Sequence, residues 1–179
     1  IEPIFDEVED FSEGLAKVVV QNKDYFIDRA GKIVISFPET VKPAHDKFSQ
    51  GLLAVEIGDR WGFYDKSGRL VIAPIADSEP FAFSEGLSSV RLGNQRGYIN
   101  TKGVVVIEPR FNGAGYFSEG LALVHINEKY GYIDKSGKLV IPVKFDLAYE
   151  FSNGLAEVVE GQKRGYINQK GEYIWQQPV

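Results

Sequence analysis

Apolar and polar residues alternate with a period of two along the apolar segments of this chain, which predicts β-strands rather than helices. The clearest case is residues 130–141, which read YGYIDKSGKLVI. Aromatic and β-branched residues at its two ends are typical of short strands, and the central DKSG is typical of a turn because Asp accepts backbone hydrogen bonds and Gly tolerates positive φ. The stretch therefore predicts a β-hairpin closed by a D-x-x-G turn.

The same hairpin recurs along the whole chain. Its turn glycines are spaced 37, 35, 34 and 34 residues apart, at Gly31, Gly68, Gly103, Gly137 and Gly171. A second marker, F-S-x-G-L, keeps the same rhythm and begins at Phe11, Phe48, Phe83, Phe117 and Phe151. Two unrelated markers with one period predict a tandem repeat. We place the units at about 1–35, 36–72, 73–107, 108–141 and 142–175, in a single repeat domain over 1–179.

Each unit is predicted to hold three antiparallel strands. One strand leaves the F-S-x-G-L corner, and the hairpin supplies two more. An I-x-P segment such as residues 107–109 is expected to end the last strand, because Pro lacks the N–H of a central strand. The fold class is thus all-β, with five tandem units. An open β-solenoid or superhelical array is favoured by the short period, and a closed propeller-like ring is the alternative.

The first strand of each unit has one regular and one irregular face. The regular face is apolar, as at Val18 and Val124, and is predicted to be core. Positions on the other face follow no rule, so they are predicted to face solvent or a partner. This irregular face supplies four candidate ligand-binding residues, Lys17, Glu56, Arg91 and His125.

One aromatic residue per unit forms a column along the hairpins, at Phe26, Phe63, Tyr98, Tyr132 and Tyr166. Rings repeated along a surface suit sugars or extended peptides. Packing between units explains the same column without a ligand, and we favour that interpretation. The hydroxyls of Tyr98, Tyr132 and Tyr166 are expected to reach water or a polar partner, which makes these three residues candidates for ligand binding as well.

A family resemblance follows from these motifs. Residues 61–74 read WGFYDKSGRLVIAP and residues 83–87 read FSEGL, a combination that resembles the WG (KWG) repeat family of bacterial β-repeat proteins across all five units. The Trp-Gly pair itself stands only in the second unit. The first unit has Asp24-Tyr25 and lacks the Gly, so different local packing is expected there. The resemblance implies bacterial origin and a binding or scaffolding role, and it brings no catalytic residues.

The composition of the chain excludes several classes of binding partner. The net charge of -5 and the absence of a basic stripe argue against nucleic acid and against an anionic membrane surface. No apolar run is long enough for direct membrane insertion. The chain has no Cys and no Met, so disulfides and thiolate metal sites are excluded. We expect a piece of a longer bacterial protein, and an extracytoplasmic or cell-surface location over a cytoplasmic one.

No catalytic constellation is visible. His45 and His125 occupy non-equivalent positions, and the once-per-unit turn carboxylates give way to Asn100 and Asn168, which favours a turn role over calcium. The recurrent serines are interpreted as structural, and the acids beside them, such as Glu13, as solvated. We expect no enzyme activity, no cofactor and no metal, but a module that binds protein or peptide. Carbohydrate or cell-wall binding through the column is the alternative. Should the hydroxyls play no part, the irregular connections 37–46 and 76–82 are the next place to look.

Overall fold

The computed structural model describes residues 5–177 as five antiparallel β-sheets that follow one another along the chain. The first two sheets contain β1 (Glu7–Val8), β2 (Ala16–Val20), β3 (Lys23–Ile27) and β4 (Ile33–Ser36), then β5 (Val41–Pro43), β6 (Leu52–Ile57), β7 (Arg60–Asp65) and β8 (Leu70–Ala76). The third sheet contains β9 (Leu87–Leu92), β10 (Gln95–Asn100) and β11 (Val105–Phe111).

The fourth and fifth sheets complete the array, with β12 (Gly113–Ser118), β13 (Leu121–Ile126), β14 (Lys129–Asp134) and β15 (Leu139–Phe145), then β16 (Leu147–Ala148), β17 (Leu155–Glu160), β18 (Lys163–Asn168) and β19 (Tyr173–Gln176). Strands pair in sequence order within each sheet. Among residues 5–177 there is no helix with the length and apolar character to cross a membrane.

The predicted all-β fold of antiparallel sheets is confirmed, and residues 5–177 form five such sheets. Three strands per unit is one too few in four of these five sheets. The additional strand lies in the connection before the F-S-x-G-L corner. In the fourth unit it is β12, where Gly113 pairs with His125 and Ala114 pairs with Val124. Its counterparts β1 and β16 contain only 2 residues each, which is too short for a period of two to be recognised in the sequence.

The prediction that proline ends the last strand of a unit is wrong in the middle of the array. Pro109 and Pro142 lie within β11 and β15. Between β14 and β15, Tyr130 pairs with Phe145 but Tyr132 pairs with Ile141, so extra residues bulge from β15 next to Pro142. Because the bulge interrupts the ladder and β15 is an edge strand, the missing proline N–H costs no hydrogen bond.

The glycine of the Trp-Gly pair is required because it lies against the backbone of the last strand of its sheet. A Cβ on Gly97 would lie 2.5 Å from the carbonyl oxygen of Ile107 and 2.8 Å from the nitrogen of Pro109. Backbone atoms cannot move aside as a flexible side chain can, so the close approach admits only glycine. The first sheet has Tyr25 at this position. There Tyr25 pairs with Ser36 and the next residue pairs with Ile35, without the wide bulge. The fifth sheet has the same register although it keeps Gly165, so the narrower bulge does not follow from the missing glycine.

The hydrophobic core is divided among the interfaces between consecutive sheets. Each interface joins the aromatic, Leu and Ile side chains of one sheet to the corner Phe and the apolar first-strand residues of the next. Val124 is fully buried, as predicted. Both faces of the first strands are packed, however. Ala54 and Ser89 on the irregular face are also buried, so the prediction that this face is free is wrong at these positions.

The F-S-x-G-L corners form hydrogen bonds from one unit to the next. The Ser118 hydroxyl donates to the Phe151 carbonyl at 2.7 Å, and the Gly154 amide donates to the Glu119 carboxylate at 2.9 Å. Equivalent bonds run between the earlier units, and we call the whole set the corner ladder, comprising residues 12–14, 49–51, 84–86, 118–120 and 152–154. The serines are therefore structural, as interpreted, but the acids beside them are bonded rather than merely solvated.

Asp and Asn accept the same two backbone hydrogen bonds in the D-x-x-G turns. The Asp134 carboxylate accepts the amides of Ser136 and Lys138 at 2.9 and 3.0 Å. Asn168 accepts the two equivalent amides, both at 3.0 Å. A neutral acceptor serves as well as a charged one here, which explains the exchange of Asp and Asn along the array.

Candidate binding groove

The aromatic column lies inside the sheet interfaces. Tyr98 and Tyr132 are fully buried, and each ring meets the corner Phe of the next unit, as Tyr132 meets Phe151 at 4.9 Å between centroids. Their hydroxyls donate to the carbonyls of Gly115 and Tyr149, both at 2.8 Å. Burial raises the pKa of both hydroxyls. The expectation that these hydroxyls reach water or a partner is thus wrong, because their acceptors belong to the next unit.

Tyr166 is the exception in the column. Its side chain is 41% exposed and lies against Trp175 at 6.2 Å between centroids. Phe26 and Phe63 are buried like the two middle tyrosines. The favoured interpretation of the column as packing therefore holds for four of the five rings, and the column provides no continuous surface for a sugar chain.

The other predicted site residues fall into separate places. Lys17 forms ion pairs with Asp24 and Asp46 at 3.2 and 2.8 Å. Glu56 pairs across the strand with Lys42, at the edge of the second sheet. Arg91 and His125, by contrast, line one cavity. The structure thus brings together only two of the seven predicted residues.

The third unit has an irregular connection where the other units have the additional strand before the F-S-x-G-L corner. The Asp77 amide donates to the Arg91 carbonyl at 2.9 Å, and the Phe81 amide donates to the Ser89 carbonyl at 3.1 Å. Residues 78–80 loop out between these two bonds, and no strand forms. The corners of the second and third units are 35 residues apart, one more than in the two intervals that follow.

This loop is one wall of a cavity of about 580 Å³ between the second and third units. We call it the connection groove. It is lined by His45, Lys47, Phe48, Ser49, Glu79, Pro80, Phe81, Ala82 and Arg96. Phe81 is 41% exposed, and His45 Nδ1 lies 3.5 Å from a carboxylate oxygen of Glu79. The groove thus combines apolar walls with polar groups at its opening.

Arg96 occupies the position of the name-giving Trp and lies where the groove meets the third sheet. Its guanidinium stands over the Phe81 ring at 5.2 Å and donates to the carbonyls of Ser89 and Glu79, both at 3.4 Å. Burial, together with the neighbouring charge of Arg91, lowers the pKa of Arg96.

A second cavity of about 310 Å³ adjoins the groove between the third and fourth sheets. We call it the arginine pocket. It shares Phe81 and Arg96 with the groove and is otherwise lined by Arg91, residues 112–115, Leu123, His125 and Tyr130. Sequence reasoning missed Phe81, Arg96 and Glu79 as site residues. The signal that points to them is the broken repeat length at residues 37–46 and 76–82, which line the groove at His45 and residues 79–82.

Within residues 5–177 no group of three or more His, Cys, Asp or Glu side chains is placed to hold a metal ion.

The sequence model of the WG containing repeat matches residues 1–23, 61–95, 97–130 and 130–163. This chain belongs to the WG repeat family. Comparison with curated protein sequences gives no match.

Solved structures with β-propeller-like folds resemble the array. BamB from Moraxella catarrhalis has a TM-score of 0.54 and 12% identity, and the alignment covers 92% of this chain and 61% of BamB. Hsv2 from Kluyveromyces marxianus has a TM-score of 0.63 and 13% identity, over 93% of this chain and 64% of Hsv2. Hsv2 from Kluyveromyces lactis has a TM-score of 0.57 and 11% identity, over 93% and 61%. The WG units are thus arranged like propeller blades, and the chain spans under two thirds of each of these structures.

Proposed function

We propose that this chain is a non-catalytic binding module and that its connection groove holds an extended segment of a partner protein. The observation that carries the proposal is the exposed Phe81 ring, which lies over a groove at the one unit of the described array that has no additional strand before its corner. A propeller-like repeat scaffold, which presents rigid sheets and variable connections, supports an interaction role.

The dimensions of the groove fit this role. About 580 Å³ is within the usual range of ligand sites and can accommodate a few peptide side chains. Phe48, Pro80 and Phe81 provide apolar walls, and His45 and Glu79 provide hydrogen-bonding groups at the opening. The lining comes from two units, as expected of a site larger than a single hairpin can provide.

The proposal includes no chemical step. The side chains of His45 and Glu79 are 37% and 51% exposed, so they are solvated rather than held in one reactive geometry. The carbohydrate alternative is supported less well, because the rings that would stack on sugars are buried in four of the five units.

The test is a selection of displayed random twelve-residue peptides against the immobilised chain, with the affinity of resynthesised peptides measured by fluorescence polarisation. Phe81→Ser should weaken binding at least about tenfold, because an exposed aromatic anchor supplies much of the energy at such sites. Tyr149→Ser is the matched control. Tyr149 occupies the equivalent position in the fifth unit and is 53% exposed, but it lies outside the groove.

Two results would overturn the proposed function. One is a selection that yields no peptide with measurable affinity. The other is a set of peptides whose affinity is unchanged by Phe81→Ser, or lowered equally by Tyr149→Ser. Thermal unfolding of both variants, followed by circular dichroism, checks that the fold is intact.

A further inference from the structure

Two arginines face each other directly in the third sheet. Arg91 of β9 is the cross-strand partner of Arg96 of β10. The equivalent pairs in the other sheets are Val19–Asp24, Glu56–Trp61, His125–Tyr130 and Val159–Arg164. Like charges directly opposite destabilise a sheet. Folding therefore does not account for the Arg91–Arg96 pair, and a ligand is the alternative reason for it.

Within the described part of the chain, neither arginine is neutralised by an acidic side chain. Among residues 5–177 no ion pair within 4.0 Å involves Arg91 or Arg96. The Arg91 guanidinium donates to the Asn94 carbonyl at 3.0 Å, and the contacts of Arg96 with protein oxygens are all long, at 3.4 Å. Arg164, at the same position in the fifth sheet, forms an ion pair with Glu157 at 2.5 Å. The repeat can thus neutralise an arginine at this position, yet the third unit does not.

Arg91 and Arg96 both line the arginine pocket. His125 and Tyr130, the equivalent cross-strand pair of the fourth sheet, line it as well, and their rings are tilted at 34° with centroids 4.7 Å apart. Among the residues that the structure describes, no Asp or Glu lines the pocket. The Glu150 carboxylate approaches Gly115, but it is not paired with either arginine. In a chain of net charge -5, this is a local concentration of positive charge with aromatic walls.

We propose that the arginine pocket binds the carboxylate of an Asp or Glu side chain that belongs to the peptide in the connection groove. The inference rests on the proposed function, because the two cavities share Phe81 and Arg96. Guanidinium groups bind carboxylates with charge-assisted and often bidentate hydrogen bonds. A carboxylate between the two arginines would also relieve their mutual repulsion.

The shared residues set the spacing that the partner must have. Phe81 and Arg96 line both cavities, so an apolar side chain in the groove and the acidic side chain in the pocket would contact the same two residues. The partner segment therefore carries its acid within a few residues of an apolar or aromatic anchor. Specificity arises because a neutral amide in the pocket would leave two guanidinium groups without a counter-charge.

The experiment uses the peptides selected against the whole chain. Each binder is resynthesised with its Asp or Glu residues changed one at a time to Asn or Gln, and the affinities are compared at two salt concentrations. One acidic position should be required, with affinity falling about ten- to a hundredfold on its replacement, since hydrogen bonds to charged groups are among the strongest in proteins. Arg91→Glu and Arg96→Tyr should abolish the difference between the acidic peptide and its amide.

Both variants are drawn from the repeat itself. Glu56 and Tyr130 stand at the positions equivalent to Arg91 and Arg96, so the fold accommodates these side chains. Arg164→Tyr is the matched control. It removes an arginine from the same position of the fifth sheet and should leave the preference for the acidic peptide unchanged.

Two outcomes would overturn the inference alone. Peptides that bind through Phe81 with no required acid would retain the proposed function and remove the carboxylate site. So would an acidic preference that survives both Arg91→Glu and Arg96→Tyr. Selection of no peptide at all would instead overturn the proposed function, and the inference with it. Inorganic phosphate, added as a competitor, separates a site for any anion from one that requires the peptide. Displacement of the peptide by phosphate at low millimolar concentration would count against a carboxylate site.

Discussion

The corner ladder and the connection groove are built from the same repeat, yet they differ in what holds their side chains. In the ladder, the Ser and the acceptor side chain of one corner hydrogen-bond to the backbone of the next. In the groove, the connections are longer, and Phe81 remains partly exposed. The bonds between corners are formed in every unit, whereas the groove forms only beside the longer connections.

The third and fourth sheets show the same contrast at closer range. In the fourth unit the connection is a six-residue strand, and the cross-strand pair at its side consists of His125 and Tyr130, whose rings are tilted and 4.7 Å apart between centroids. In the third unit the connection loops out, and the equivalent pair is Arg91 and Arg96. The sheet scaffold is common to both. The two units differ in a few connection residues and in this one cross-strand pair.

The largest expected effect comes from charging the regular core. Val124→Asp should destabilise the fold by more than about 3 kcal/mol or prevent folding, because an unpaired carboxylate is costly in a fully buried apolar site. His125→Asp, one residue further on, should cost less than about 1 kcal/mol, since His125 is only half-buried. Urea denaturation measures both. Equal losses would mean that the two faces of β13 are not distinguished by burial.

The next effect tests the bulge. Gly131→Ala should cost about 1 to 3 kcal/mol, because its Cβ would lie 2.8 Å from the Ile141 carbonyl oxygen and 2.9 Å from the backbone of Val143. Gly115→Ala is the control. Its Cβ would approach the end of the flexible Glu150 side chain at 3.2 Å, which can move away. A Gly131→Ala protein with unchanged denaturation would contradict the close backbone approach.

A smaller effect tests the corner ladder. Ser118→Ala removes the 2.7 Å hydrogen bond to the Phe151 carbonyl and should cost about 1 kcal/mol. Ser152→Ala, in the last corner, should cost less, because within residues 5–177 the Ser152 hydroxyl bonds only to its neighbour Asn153. Chemical denaturation of the two variants gives the comparison directly. If both lose the same stability, the bonds between units contribute nothing beyond the local turn.

The smallest effect on stability is expected in the groove. Phe81→Ser should change the free energy of unfolding by less than about 1 kcal/mol, since the ring is partly exposed and its defined contact is the stacked guanidinium of Arg96. Thermal unfolding of the variant measures this. A loss as large as that of Gly131→Ala would place Phe81 in the core and weaken the contrast between the two regions.

The sequence predicts the structural features that recur in every unit. The hairpins, the corners and the burial of Val124 follow from alternation and from turn residues that recur five times. The additional strands β1 and β16 could not be predicted, because two residues are too few to show a period of two. The role of Gly97 was hidden as well, since the close approach depends on the bulge of another strand.

The candidate site was only partly accessible to sequence reasoning. Arg91 and His125 were found because the irregular face of the first strands attracts attention, and they do line one pocket. Arg96 replaces the Trp of the Trp-Gly pair in the third unit, and the sequence pattern alone gives this position no binding role. Only the register of β9 and β10 makes it the direct neighbour of Arg91. Alternation places the rings of Tyr98 and Tyr132 on one face of their hairpins, where a ligand could reach them. In the folded protein the next sheet covers that face.

The corner ladder has a direction that bears on how the chain is made. Each corner offers its hydroxyl and its acceptor side chain forward, to the carbonyl and amide of the unit that follows in sequence. During synthesis the earlier unit leaves the ribosome first, so its hydroxyl and acceptor side chain precede the backbone groups that they bind. A newly emerged unit then supplies those groups together with its half of the shared core. We expect such an array to fold from its amino-terminal end, and to accept additional units at its carboxyl-terminal end more readily than within it.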